Sequence, residues 1–130
     1  MRFAEDKTAA RYRIRAYAPG RVTINEDVFT QSLVVTPGRI LSDWAPRSID
    51  ELQAEHLAMV TELEPEIILL GTGATLRFPR PELAAPLLDG GIGLEVMDTA
   101  AACRTYNVLV SEDRHVAAAL IIGSGVRCEE

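Results

Sequence analysis

Several of the features that announce a chemistry are missing from this sequence. Cysteine occurs only at Cys103 and Cys128, which form no motif, so a disulfide scaffold or zinc ribbon is excluded and reduced thiols are expected. No apolar run approaches the roughly 18 residues of a membrane span. Met1 to Ala10 is mixed in charge without an apolar core, so no secretory signal is expected and the location reads as cytoplasmic. Basic charge is scarce too: the net charge of −6 argues against nucleic acid as the main partner. There is no Gly-x-Ser-x-Gly elbow, no His/Cys cluster and no carboxylate pair spaced as acid and base. The reading is therefore no catalytic residue, no metal and no cofactor.

What the sequence does hold is material for a core. At 130 residues, 48% hydrophobic and 25% charged, it reads as one domain over 1–130 with flexible tails at 1–10 and 124–130. A domain of that size buries about two-thirds of its unfolded surface. Charge is uneven: the segment through Ile24 carries +4, from Arg2, Lys7, Arg11, Arg13, Arg15 and Arg21 against Glu5 and Asp6, and the remainder −10. That edge could steer an acidic partner, although a solvated edge is the stronger reading.

Tyr12 to Tyr17 alternates, with Tyr12, Ile14 and Ala16 on one side, and predicts a half-buried strand. Pro19-Gly20 turns the chain into a second strand, Arg21 to Ile24. Asn25-Glu26-Asp27 turns it again, and Ser32 to Thr36 makes a short strand before Pro37-Gly38. The first third thus reads as an antiparallel meander. Ser48 with Glu51 has the spacing of a capping box, opening a helix whose apolar stripe is Ile49, Leu52, His56, Met59, Val60 and Leu63, stopped by Pro65. His56 within that stripe reads as a core-edge histidine bonded to a carbonyl rather than as an acid or base.

Glu66 to Leu76 then supplies an apolar run ending in Gly71-Thr72-Gly73, which predicts the central strand of a parallel sheet, buried on both faces. Pro81 suits the first turn of a helix that Pro86 keeps short or irregular. Gly93 to Met97 is the next strand, Asp98 or Thr99 caps a helix to about Val110, and His115 to Ile122 is the last strand. The expected fold is α/β and three-layered: a central mixed, mostly parallel sheet flanked by helices, with the additional N-terminal antiparallel meander.

In such a sheet ligands lie beyond the C-terminal ends of the parallel strands. Gly71, Thr72, Gly73 and Thr75 could offer amides and hydroxyls to an anion, and Arg77, Asp98, Thr99, Arg104, Thr105, Tyr106 and Asn107 follow along the same edge. The signal is weak. Leu76 stands where a dinucleotide loop needs its third glycine, and Phe78-Pro79 separates the loop from its helix. Glycines permitting a sharp strand exit are the stronger reading, as are solvated arginines at Arg77, Arg80 and Arg104. Thr105-Tyr106-Asn107, placed mid-helix, reads first as a set of structural contacts and second as a crevice wall. Cys103 reads as a buried small side chain, with neither His56 nor His115 placed beside it by spacing.

Ile68-Leu69-Leu70-Gly71-Thr72-Gly73, the run Met97-Asp98-Thr99-Ala100-Ala101-Ala102-Cys103-Arg104-Thr105-Tyr106-Asn107-Val108-Leu109, and Glu112-Asp113-Arg114-His115-Val116 together resemble a known pattern. It is that of the small α/β domain family with the Mth938-like fold. These are bacterial and archaeal proteins whose mitochondrial relatives include an assembly factor for respiratory complex I. The resemblance runs from about Tyr12 to Gly123 and is most specific at Thr105-Tyr106-Asn107. It implies a three-layer fold with one antiparallel strand in the central sheet and an extra β layer. It implies no established catalysis or cofactor, and a role in protein assembly for the mitochondrial branch. The expectation is a non-enzymatic domain that binds another protein, as monomer or homodimer, and assists assembly of a membrane or respiratory complex; the alternative is a binding protein or enzyme for an anionic small molecule, using the crevice at the Gly71 edge.

Overall fold

The structure, a computed structural model, describes residues 11–123; the expected tails at 1–10 and 124–130 lie outside them. Two sheets form. Strands β1 (Ile14–Ala18), β2 (Arg21–Ile24) and β3 (Asp27–Phe29) make an antiparallel sheet in the order β1-β2-β3. The second sheet takes β4 (Leu33–Val35), β5 (Ile40–Leu41), β6 (Ile67–Gly71), β7 (Gly93–Met97) and β8 (Val116–Leu120) in the order β5-β4-β8-β6-β7. Helices α1 (Ala54–Thr61), α2 (Pro81–Asp89) and α3 (Thr99–Ser111) connect the later strands.

β6 pairs parallel with both β7 and β8, while β4 pairs antiparallel with β8 and with β5. β4 alone therefore runs against the rest of the large sheet. The expected meander accordingly divides: β1 to β3 form the extra β layer, whereas β4 and β5 join the central sheet. The segment Asn25-Glu26-Asp27 also turns sooner than expected, because Asn25 takes the left-handed conformation (φ 55°) and pairing resumes at Asp27.

Period-2 alternation assigns each strand's side chains to one of two cores. Leu33, Val35, Leu69, Val116, Ala118 and Leu120 face α3 and the small sheet. Val34, Ile68, Leu70, Ala117 and Ala119 face α1, α2 and the connection holding Trp44, Ile49 and Leu52. Ile68, Leu69 and Leu70 are each 0% exposed, which stabilises the fold by about 1.5–3 kcal/mol apiece. β6, parallel to both of its neighbours, is the central strand of the parallel part as expected, while the middle place of the whole five-stranded sheet falls to β8, although β6 has the more apolar sequence. The alanines of β8 lie between two packed layers, where small side chains let both approach, and pairing on both edges overrides their helix propensity.

The first helix departs from its expected start. Ile49–Glu51 is a 3₁₀ turn, Ser48 makes no side-chain cap, and Glu51 Oε1 instead accepts from the Arg47 amide (2.9 Å). Leu52 is extended (φ −69°, ψ 128°) and α1 begins after Gln53. That break resets the helical phase, so Leu57 and Val60 are buried while Met59 is 39% exposed. His56 completes the capping box: its Nδ1 accepts the Gln53 N–H (3.0 Å) rather than donating to a carbonyl.

Candidate functional site

Gly71 and Gly73 serve different ends. A Cβ on Gly71 would lie 3.0 Å from Thr99 Cα and 3.2 Å from Ala102 Cβ, so glycine is what lets α3 sit against the end of β6. Gly73 takes φ +103°, a conformation that side chains rarely adopt. Between them, the Thr72 amide donates to the Met97 carbonyl (2.9 Å) and the Gly73 amide to Thr99 Oγ1 (2.8 Å). Two amides that could have received an anion are thus bonded within the chain.

Thr99 is the hub of this edge. Fully buried, its hydroxyl accepts from Gly73 and donates to the Ile121 carbonyl (2.8 Å), and its own amide donates to the Gly73 carbonyl (2.9 Å). One side chain therefore ties the exits of β6 and β8 to the first turn of α3. Asp98 Oδ1 caps that turn by accepting from the Ala101 amide (2.8 Å). Thr72 Oγ1 donates to the Thr75 carbonyl (2.7 Å) and accepts from the Arg77 amide (3.1 Å), closing the exit loop. Arg77 reaches out to Asp50 in a forked pair (2.7 and 3.2 Å), which holds the Asp50 carboxyl below the usual carboxylate range and raises Arg77.

A crevice of about 360 Å³ remains at this edge, walled by Thr72, Gly73, Thr75 and Arg77 with Arg47, Ser48 and Tyr17 opposite. Arg104 does not reach it. It lines a separate cavity of about 270 Å³ with Arg15, Cys103 and Asn107, and Tyr17 belongs to the walls of both. Arg80 lines neither and precedes α2, where its carbonyl accepts from the Leu83 amide (2.9 Å). Alternation had placed Tyr17 on the outer face of β1. A register shift between Ile14 and Ala16 turns it inward, and only its pairing partners reveal that. Arg47 and Asp50 were also not singled out, since nothing in their local spacing marks them.

Tyr106 and Asn107 face away from the crevice, toward the small sheet. Tyr106, 0% exposed, donates its hydroxyl to the Tyr12 carbonyl (2.8 Å). Asn107 brackets Ile14: Oδ1 accepts its amide (3.0 Å) and Nδ2 donates to its carbonyl (2.6 Å), as a neighbouring strand would. Thr105, the third member of that run, is half-buried. Cys103 is buried, and burial pushes its thiol up to about 12, so the thiolate a nucleophile needs is disfavoured. Among the described residues no group of three or more His, Cys, Asp or Glu is placed to hold a metal ion. Nor is any helix there long and apolar enough to cross a membrane.

Residues 14–121 match the family described as "Protein of unknown function (DUF498/DUF598)". The chain is 31% identical to the "13 kDa major membrane protein" of Francisella tularensis subsp. holarctica, over 93% of this chain and 99% of that one. It is 39% identical to NADH dehydrogenase (ubiquinone) 1 alpha subcomplex assembly factor 3 of Danio rerio, over 83% of its own length. It spans only 63% of that longer protein. A solution structure of a Mth938-like domain from Bordetella pertussis superposes with a TM-score of 0.79 at 30% identity, covering 97% of this chain and 94% of that one. With that match, the β4-reversed sheet and the β1 to β3 layer, the chain belongs to the DUF498/DUF598 family of Mth938-like domains and is related to the complex I assembly factor.

Proposed function

We propose that this chain is a non-enzymatic protein-binding domain that assists assembly of a membrane or respiratory complex. The observation that carries the reading is the internal commitment of the polar groups at the sheet edge. Thr72, Thr99, Asp98, Tyr106 and Asn107 each bond to the backbone of this chain, and Arg77 to its Asp50. Groups so held position elements and leave recognition to the outer surface. Relationship to a protein named as an assembly factor supports the same direction. Affinity capture of the tagged chain from its host under gentle detergent conditions tests it. Enrichment of subunits of a membrane complex over an untagged control is expected, and no enrichment would overturn the reading.

A second reading keeps the 360 Å³ crevice as a site for a small carboxylate or phosphate, held by Arg77 and Arg47. A ligand at about 100 times its dissociation constant stabilises by about 2.7 kcal/mol, so a thermal-shift panel of such anions reads it directly. An unchanged shift in Arg77→Ala would count against this site.

A further inference from the structure

Helices α1 and α2 pack against each other beside the sheet and leave between them a largely apolar cavity of about 430 Å³. Leu57, Leu83, Leu87 and Ile92 make its apolar floor, and smaller residues line the rest: Ala54, Ala58 and Thr61 from α1, Pro86 from α2 and Gly90 just beyond it. The stretch from Ala54 to Thr61 spans about 10 Å at 1.5 Å per residue, the length of two helical turns. A groove of that length between two helices suits the apolar face of a third, which would place residues i, i+3 or i+4, and i+7 along it.

Charge identifies the occupant. Glu55 and Glu62 stand one turn to either side of Ala58, and Glu82 and Asp89 one turn to either side of Pro86, so acids flank both walls. All four are exposed, and none is in an ion pair among the described residues. Neither helix contains an arginine or lysine. We propose that this groove docks an amphipathic helix of a partner protein whose apolar face is edged by lysine or arginine. The inference rests on the protein-binding reading and assigns a surface to it. The same rim repels a fatty-acid carboxylate, an anionic headgroup or a second copy of this groove.

A photo-reactive amino acid at Ala58 of the full-length chain in host cells tests this, with a second at Val28, which lies in the opposite β layer and is 59% exposed. The adduct from Ala58 should map to a segment with helical apolar spacing and net positive charge. Its yield should fall about tenfold when Glu55→Lys and Glu82→Lys are combined, in a protein whose thermal unfolding is unchanged. Adducts with lipid, with another copy of the chain or with a net-acidic segment overturn the inference, as does a yield indifferent to charge reversal. Silence at Ala58 also overturns it. Protein adducts from Val28 would then leave the protein-binding reading standing, and silence at both positions removes its support as well.

Discussion

Asn107 holds the N-terminal layer to the rest of the protein at a point where β1 is irregular. β1 is the edge strand of the small sheet and its register shifts after Ile14, and two asparagines bond backbone groups at and before its start. Asn107 takes the amide and carbonyl of Ile14, and Asn25 takes the amide of Arg13 and the carbonyl of Arg11. Asn107→Ala should lower stability by about 1–3 kcal/mol, because it leaves backbone groups of Ile14 unpaired. Tyr106→Phe should lower it by about 1 kcal/mol through loss of the bond to Tyr12. Denaturant unfolding measures both, and a neutral Asn107→Ala would mean water replaces the amide. Cys103 sets an alkaline limit. Its folded pKa is raised above the ordinary 9.0 by burial, so its contribution is complete below about pH 9 and is lost as pH rises toward about 12. Tyr17 and Tyr106, also raised by burial, act in the same direction above 10.0. The unfolding midpoint should therefore fall through that window, and less so in Cys103→Ala. At this scale the mid-helix placing of Tyr106 and Asn107 pointed first to structural contacts and second to a crevice wall, but could not name Tyr12 and Ile14 as the partners.

Among the elements, the junction of β6, β8 and α3 is the most tightly specified. Gly71→Ala sets a methyl group against Thr99 Cα, a backbone atom that cannot swing aside, so a loss of about 1–3 kcal/mol is expected as α3 is pushed off the sheet. Gly73→Ala meets no atom within 4 Å and should cost about 1–3 kcal/mol by backbone strain alone. A crystal structure or amide chemical shifts would separate them: the first should displace α3, the second should perturb only residues 72–75. Thr99→Val keeps the shape but orphans the Gly73 amide and the Ile121 carbonyl, and should destabilise by about 2–3 kcal/mol by the same denaturant assay. Gly71-Thr72-Gly73 was legible as a sharp strand exit. Which glycine answers to space and which to φ was not, because the first depends on a helix packed from 28 residues later.

The whole molecule is a layered body whose layers should open unequally. β8 and β6 are paired on both edges and covered on both faces, whereas β3 is paired on one edge only. Native-state hydrogen exchange should give the slowest amides in β8 and β6 and faster exchange in β3. Equal protection of β3 would show that the small sheet unfolds only with the central one. Charge also sorts by position: Glu55, Glu62, Glu82 and Asp89 stand exposed on or directly beside α1 and α2, while Arg13, Arg15 and Arg21 stand exposed on or beside the small sheet. Ionic strength should consequently affect association at these two surfaces in opposite senses for a partner of one sign.

Periodicity is a local property, and what rests on it could be read in order along the chain: the strand at Ile67–Gly71, the strand at Gly93–Met97, the Asp98 cap, the interruption at Pro86 and the layered α/β class. Convergence is not local. The bond from Gly73 to Thr99 joins residues 26 apart and that from Tyr106 to Tyr12 residues 94 apart, and neither spacing leaves a mark on either neighbourhood. The same holds for the burial of Tyr17 by a one-residue register shift, the separation of Arg104 from Arg77, and the central place of the alanine strand β8. Each was settled when the layers packed, because only packing fixes which side chains share a space and which backbone groups they must satisfy.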